Sequence, residues 1–175
     1  MKYILSIDPG QSTGIALGSY DAITPYQLVS RWNVLGGVEG FIEWWQENQD
    51  GEIAHELVVE KFHLDPTNQF SADLTPVAIE GALAALNWDA GVEIAWQGRE
   101  LKSALIGYPP EARTKTERQR VRFDFLDRFG LFAKGAHNDD SNDAITHALT
   151  YLKRRKHAPT LMAFWPPPPR TPISH

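Results

Sequence analysis

Asp8 closes the apolar run Lys2-Tyr3-Ile4-Leu5-Ser6-Ile7 and is followed by Pro9-Gly10, which ends a strand and leaves a carboxylate at the sheet edge. Gly10 and Gly14 let the backbone turn there and let a phosphate come close. Taken alone, Asp-Pro-Gly reads more readily as an ordinary turn. Glu60 ends a second apolar run, Leu57-Val58-Val59. A carboxylate carried out of a buried strand needs a compensating cation, unless it is a solvated edge residue. The third group is denser: His137-Asn138-Asp139-Asp140-Ser141-Asn142-Asp143-Ala144 opens a helix. The helix dipole explains one or two acids in a first turn, but three within five residues exceed what capping needs. Asp140 and Asp143 are three apart and share a face. The stripe Ile145, Leu149 and Leu152 lies nearly opposite, and Ala144 and Ala148 are small enough for a close approach to a sheet.

Four oxygen donors suit Mg²⁺ or Mn²⁺ better than Zn²⁺ in a chain with no cysteine and no clustered histidines. Crowded carboxylates repel one another unless cations lie between them, which is the arrangement a two-metal phosphodiester-cleaving site needs. His137 and His147 could stand behind the ligands, although a histidine near a helix start is usually a surface residue.

The elements that must position these groups follow from periodicity. Strands are expected at 2–8, 14–18 and 26–34, joined tightly as an antiparallel meander. Val38 to Gln49 has helical spacing, 54–62 holds a short buried strand, and Thr75-Pro76 opens a helix with Thr75 as its N-cap. That helix is apolar enough to predict burial on more than one side. Val92 to Trp96 is a further strand, and 99–106, 115–129 and 139–156 are helical. The order β-β-β-α-β-α-β-α-α predicts an α/β fold with a mixed five-stranded sheet flanked by helices. One domain spans 1–157, and a Pro-rich tail over 158–175 favours polyproline II around Pro166 to Pro169. The six tryptophans read mostly as core.

The net charge of −5 is unevenly spread: residues 1–98 carry −11 and residues 99–175 carry +6. This segregation permits a basic face beside an acidic site, although each half could simply have its own solvated surface. No apolar run approaches the roughly 20 residues of a membrane span. The lack of cysteine fits a reducing cytoplasm.

Together these blocks resemble the RuvC-like Holliday junction resolvases of the RNase H-like superfamily. The resemblance rests on a first-strand Ile-Asp-Pro-Gly, an apolar fourth strand ending in Glu, and a last helix with Asp-x-x-Asp-Ala. Arg99-Glu100-Leu101-Lys102-Ser103-Ala104-Leu105-Ile106-Gly107 looks like the lysine-bearing helix of that family, and Lys115 falls near a second lysine position. The likeness spans about residues 1–155 and is similar to the compact, bacteriophage-encoded branch, which would place the protein in the cytoplasm of a bacterial host. It implies an RNase H-like sheet and two Mg²⁺ or Mn²⁺ ions held by Asp8, Glu60, Asp140 and Asp143, with Lys102 near the scissile phosphate. An extra acid, Asp139, leaves open whether Asp139 or Asp140 is a ligand. The ions would activate a water and stabilise the leaving oxygen, giving 5′-phosphate and 3′-hydroxyl ends. The implied substrate is a four-way junction or other branched DNA, and the implied assembly is a homodimer with the apolar helix at 75–88 as its candidate interface.

Lys61, Phe62 and Phe70, just after the Glu60 strand, are candidate substrate contacts, an aromatic there being able to stack on an unpaired base. Arg113, Lys115, Arg118, Arg120 and Arg122 form the second candidate DNA surface, with a solvated helix face as the competing reading. Flap or single-strand nucleases and RNase H-type hybrid nucleases would share the same site. A silent DNA- or protein-binding module is the rival of another class. An actin- or hexokinase-like ATPase also places an acid and glycines at a phosphate loop, but it needs two such domains and leaves the late acidic helix unexplained.

Overall fold

A computed structural model describes residues 1–48, 54–63, 73–88, 90–135 and 138–166. Strands β1 (Lys2–Asp8), β2 (Ser12–Tyr20) and β3 (Gln27–Leu35) form the expected antiparallel meander. Helix α1 (Gly37–Glu47) follows, then β4 (Glu56–Lys61), α2 (Thr75–Leu86) and β5 (Ile94–Gly98). The sheet order is β3-β2-β1-β4-β5, with β4 parallel to both β1 and β5. The mixed five-stranded sheet is therefore as expected, because each parallel pair needs a crossover helix.

Side chains alternate across these strands, and the two faces carry different layers. Leu5, Ile7, Ile15, Leu57 and Val59 pack under α1 and α2 with Phe41, Trp44, Trp45, Ile79 and Leu83. Ile4, Ala16 and Val58 face the other layer, built from α3 (Lys115–Arg128), α4 (Asp139–Arg154) and α5 (Ala158–Phe164). Parity then decides where the acids point. Asp8 follows Ile4 and Ser6 in steps of two, and Glu60 follows Val58, so both carboxylates lie on the α4 side.

Four expectations change. Residues 99–106 form a 3₁₀ turn over Arg99–Ala104, because the short segment between Gly98 and Gly107 closes through i→i+3 bonds such as Leu105 N–H to the Lys102 carbonyl. Helix α2 begins at Thr75 itself; Asp73 Oδ1 accepts from the Thr75 N–H and hydroxyl, so the stronger acceptor holds the helix start. That helix buries only Ile79 and Leu83, on one side, and leaves Val77 exposed. The tryptophans divide: Trp44 and Trp45 are core, whereas Trp88 is 83% exposed and Trp96 39%.

The packed chain also continues past residue 157. Ala158–Phe164 is helical, with Thr160 and Phe164 buried, and Tyr26 N–H donates to Thr160 Oγ1. The proline run beyond Pro166 lies outside the described residues. Among the described residues no helix is long and apolar enough to cross a membrane.

Candidate metal centre

The site is a row across the sheet with one helix laid along it. Register pairs Gly14 with Asp8 on one side and Glu60 with Gln97 on the other, while Ile7 pairs Val59 just before the two acids. Helix α4 passes over this row. At Gly14 the approach is so close that a Cβ would stand 2.0 Å from the Asp140 carbonyl oxygen, so only glycine fits. The start of α4 has no side-chain cap of its own; Asn33 of β3 supplies one, accepting from Ser141 N–H at 3.0 Å and donating to Asn138 Oδ1 at 2.9 Å. Asn142 ties the same turn down, accepting from Ala133 N–H and Arg31 and donating to the Ala133 carbonyl.

Three carboxylates converge on one ammonium. Lys102 Nζ lies 2.6 Å from Glu60 Oε2, 2.9 Å from Asp143 Oδ2 and 3.3 Å from Asp8 Oδ2. Arg122 holds the other Asp143 oxygen at 2.9 Å and is itself bonded to the Tyr108 hydroxyl. Burial would raise the Asp143 carboxyl, but Lys102 and Arg122 outweigh it and hold it below the usual carboxylate range. Asp8 goes the other way. Burial pushes it up to about 7, with Glu60 and Asp143 adding repulsion that Lys102 only partly offsets. Lys102 would lose its proton more easily through burial alone, yet the three carboxylates hold it above its ordinary value. Asp140 sits beside Ser12 and is raised by burial, then by Asp8 and Asp143.

His147, one turn after Asp143, closes the far end of the row. Its Nε2 lies 2.8 Å from Glu60 Oε2 and its Nδ1 lies 2.9 Å from Gln97 Oε1. Burial, with the Lys102 ammonium adding to it, lowers this ring to about 4, so it is neutral at physiological pH.

The other expected site residues scatter. Asp139 is exposed and accepts from Gln119 on α3, away from the row, whereas Asp140 faces Asp8. Arg122 requires a correction. It is buried against Asp143 and Tyr108, and so belongs to the centre instead of an outer DNA surface. Arg113, Lys115 and Arg120 are exposed, and so is Arg118, which stacks over Tyr108. Lys61 is exposed and Phe62 is half-buried beyond β4. Phe70 and His137 lie outside the described residues. Gln97, Tyr108 and Asn33 carried no signal in the sequence, since each acts through a partner far along the chain.

The donor set fits divalent cations. A lysine ammonium already stands where positive charge is demanded, in contact with Asp8, Glu60 and Asp143 at once. Carboxylate oxygens are hard donors, suited to Mg²⁺ or Mn²⁺. Asp8, Glu60 and His147 each offer an atom within 4.8 Å of the others.

No family model matches the sequence, and no curated protein matches it. Solved structures do share its fold. Thermus thermophilus RuvC in complex with a Holliday junction substrate is similar at 15% identity and a TM-score of 0.58, over 89% of this chain and 97% of that one. The fowlpox virus Holliday junction resolvase is similar at 12% identity and a TM-score of 0.59, over 87% and 99%. The yeast mitochondrial Holliday junction resolvase is similar at 10% identity and a TM-score of 0.55, over 91% and 82%.

Proposed function

We propose that this chain is a divalent-metal-dependent endonuclease that cuts branched DNA, with the four-way junction as its principal substrate. The observation that carries this reading is the convergence of Asp8, Glu60 and Asp143 on a single cation at one end of the sheet. Its fold is that of proteins described as Holliday junction resolvases.

Asp8, Glu60, Asp140 and Asp143 would hold two Mg²⁺ or Mn²⁺ ions. When bound, these supply an activated water and counter-charge for the leaving oxygen, giving 5′-phosphate and 3′-hydroxyl ends. Lys102 neutralises the carboxylates in their absence and, once they are otherwise compensated, is positioned to offer its ammonium to a phosphate oxygen. Arg122 anchors Asp143 and thereby the facing turn of α4. Arg113, Lys115, Arg118 and Arg120 give α3 and the loop before it a positive edge for the DNA backbone, with Lys61 at the end of the Glu60 strand and Phe62 just after it. A second copy would join through the exposed side of α2, around Val77, so that two centres make paired cuts.

The test is cleavage of labelled four-way junction, flap, duplex and RNA–DNA hybrid substrates with Mg²⁺, Mn²⁺ or EDTA, wild type beside Asp8→Asn. Paired symmetric nicks in the junction, lost with EDTA and in the variant, are expected. Preference for flaps or hybrids would keep the metal chemistry and refute the junction. Cleavage that persists in EDTA or in Asp8→Asn would refute the centre itself.

A further inference from the structure

Four carboxylates leave one buried group of the centre without a role. His147 is fully buried on α4, and its Nε2 points at Glu60 from 2.8 Å. Gln97, also buried, holds the other side of the ring: its side-chain Nε2 is directed at the His147 carbonyl oxygen, 3.4 Å away, and its Oε1 at His147 Nδ1, 2.9 Å away. With Gln97 in that orientation Nδ1 is the N–H that donates to it, and Nε2 is left to face the Glu60 carboxylate. Lys102 Nζ already touches that same Glu60 oxygen at 2.6 Å, so positive charge is drawn to the point where imidazole and carboxylate meet. A ring nitrogen free on the inner side and anchored on the outer side by a hydrogen bond to a polar side chain is how a metal-ligating histidine is held.

We infer that His147 Nε2 is a ligand of the ion held by Asp8 and Glu60, so that this ion has a mixed nitrogen and oxygen shell. The inference rests on the metal-dependent reading above and sharpens it. The two positions differ in chemistry: Asp140 and Asp143 offer oxygen only, whereas Asp8, Glu60 and His147 offer two carboxylates and an imidazole. An imidazole ligand favours Mn²⁺ over Mg²⁺. Gln97 is then a positioning residue, fixing the tautomer and the angle of the ring.

The test is pulsed electron paramagnetic resonance of the intact protein loaded with Mn²⁺. Wild type is expected to show coupling to a directly bound ¹⁴N, replaced by the ¹⁵N pattern when histidine alone is isotopically labelled and lost in folded His147→Gln. The labelling arm changes no residue, so the result does not depend on a variant folding. Gln97→Leu is expected to weaken Mn²⁺ about tenfold or more, the scale for losing a group that orients a ligand, and to weaken Mg²⁺ less. Bound Mn²⁺ without nitrogen coupling, or coupling that survives in His147→Gln, would overturn this inference and leave the metal-dependent nuclease standing. No bound Mn²⁺ at all would overturn both.

Discussion

Replacing Asp8 by asparagine should remove cleavage and, without metal, make the protein more stable. The Asp8 carboxyl is raised from its ordinary 3.8 to about 7, chiefly by burial and then by repulsion from Glu60 and Asp143. A folded-state value above the unfolded one favours the folded protein at low pH, where the group is protonated in both states. That contribution is complete below the unfolded value and is lost as pH rises through the folded value. Three pH units at 1.36 kcal/mol each make the full loss about 4 kcal/mol. Wild type in EDTA should therefore lose about that much between about pH 4 and pH 8 through this group, and Asp8→Asn should not. Urea unfolding in EDTA across that range measures it: the curves coincide in acid and separate in favour of the variant above neutrality. Mn²⁺ should narrow that gap without closing it, since an ion at a hundredfold its dissociation constant adds about 2.7 kcal/mol to the state that binds it. A variant no more stable than wild type above neutrality in EDTA would refute this account, as would a gain of equal size at every pH.

Lys102→Met removes the cation shared by Asp8, Glu60 and Asp143, and losing one partner of a buried ion pair costs about 3–5 kcal/mol. Denaturation in EDTA should show that loss, and Mn²⁺ should recover part of it. Gly14→Ala drives a Cβ into the Asp140 carbonyl; thermal unfolding should register about 1–3 kcal/mol of overpacking, and Mn²⁺ titration should show weaker binding as Asp140 moves. Asn142→Ala leaves the Ala133 N–H and carbonyl without partners, a loss of about 1–3 kcal/mol by urea unfolding.

The parts of this molecule legible in the sequence are those set by local pattern. Apolar runs ended by turn residues located the strands that carry Asp8 and Glu60, and the Asp140–Asp143 spacing put both acids on one face of α4, away from its apolar stripe. What escaped depends on partners far apart in the chain. Arg122 reads as one more cation in a basic helix, yet its register turns it inward to Asp143. His147 looks like a surface histidine until Gln97 and Glu60 of neighbouring strands meet it. Asn33 gives no hint that it caps a helix more than a hundred residues later. Helix α2 misled in the other direction, because alanines and valine make a segment apolar without saying that anything covers it.

Helix α4 brings Asp140, Asp143 and His147 to the centre and also fills one whole face of the sheet through Ala144, Ile145, Ala148 and Leu149. During synthesis, Asp8 and Glu60 emerge long before this helix, but Ile4, Ala16 and Val58 then have nothing to pack against. The last groups of the proposed centre arrive on the element that also covers this face of the sheet. A growing or prematurely ended chain that stops before residue 139 is thus both unfolded on that face and short of half its acids. For a protein that would cut DNA, this ties arming to folding: a chain made only that far lacks both the packing of that face and the acids that complete the proposed centre.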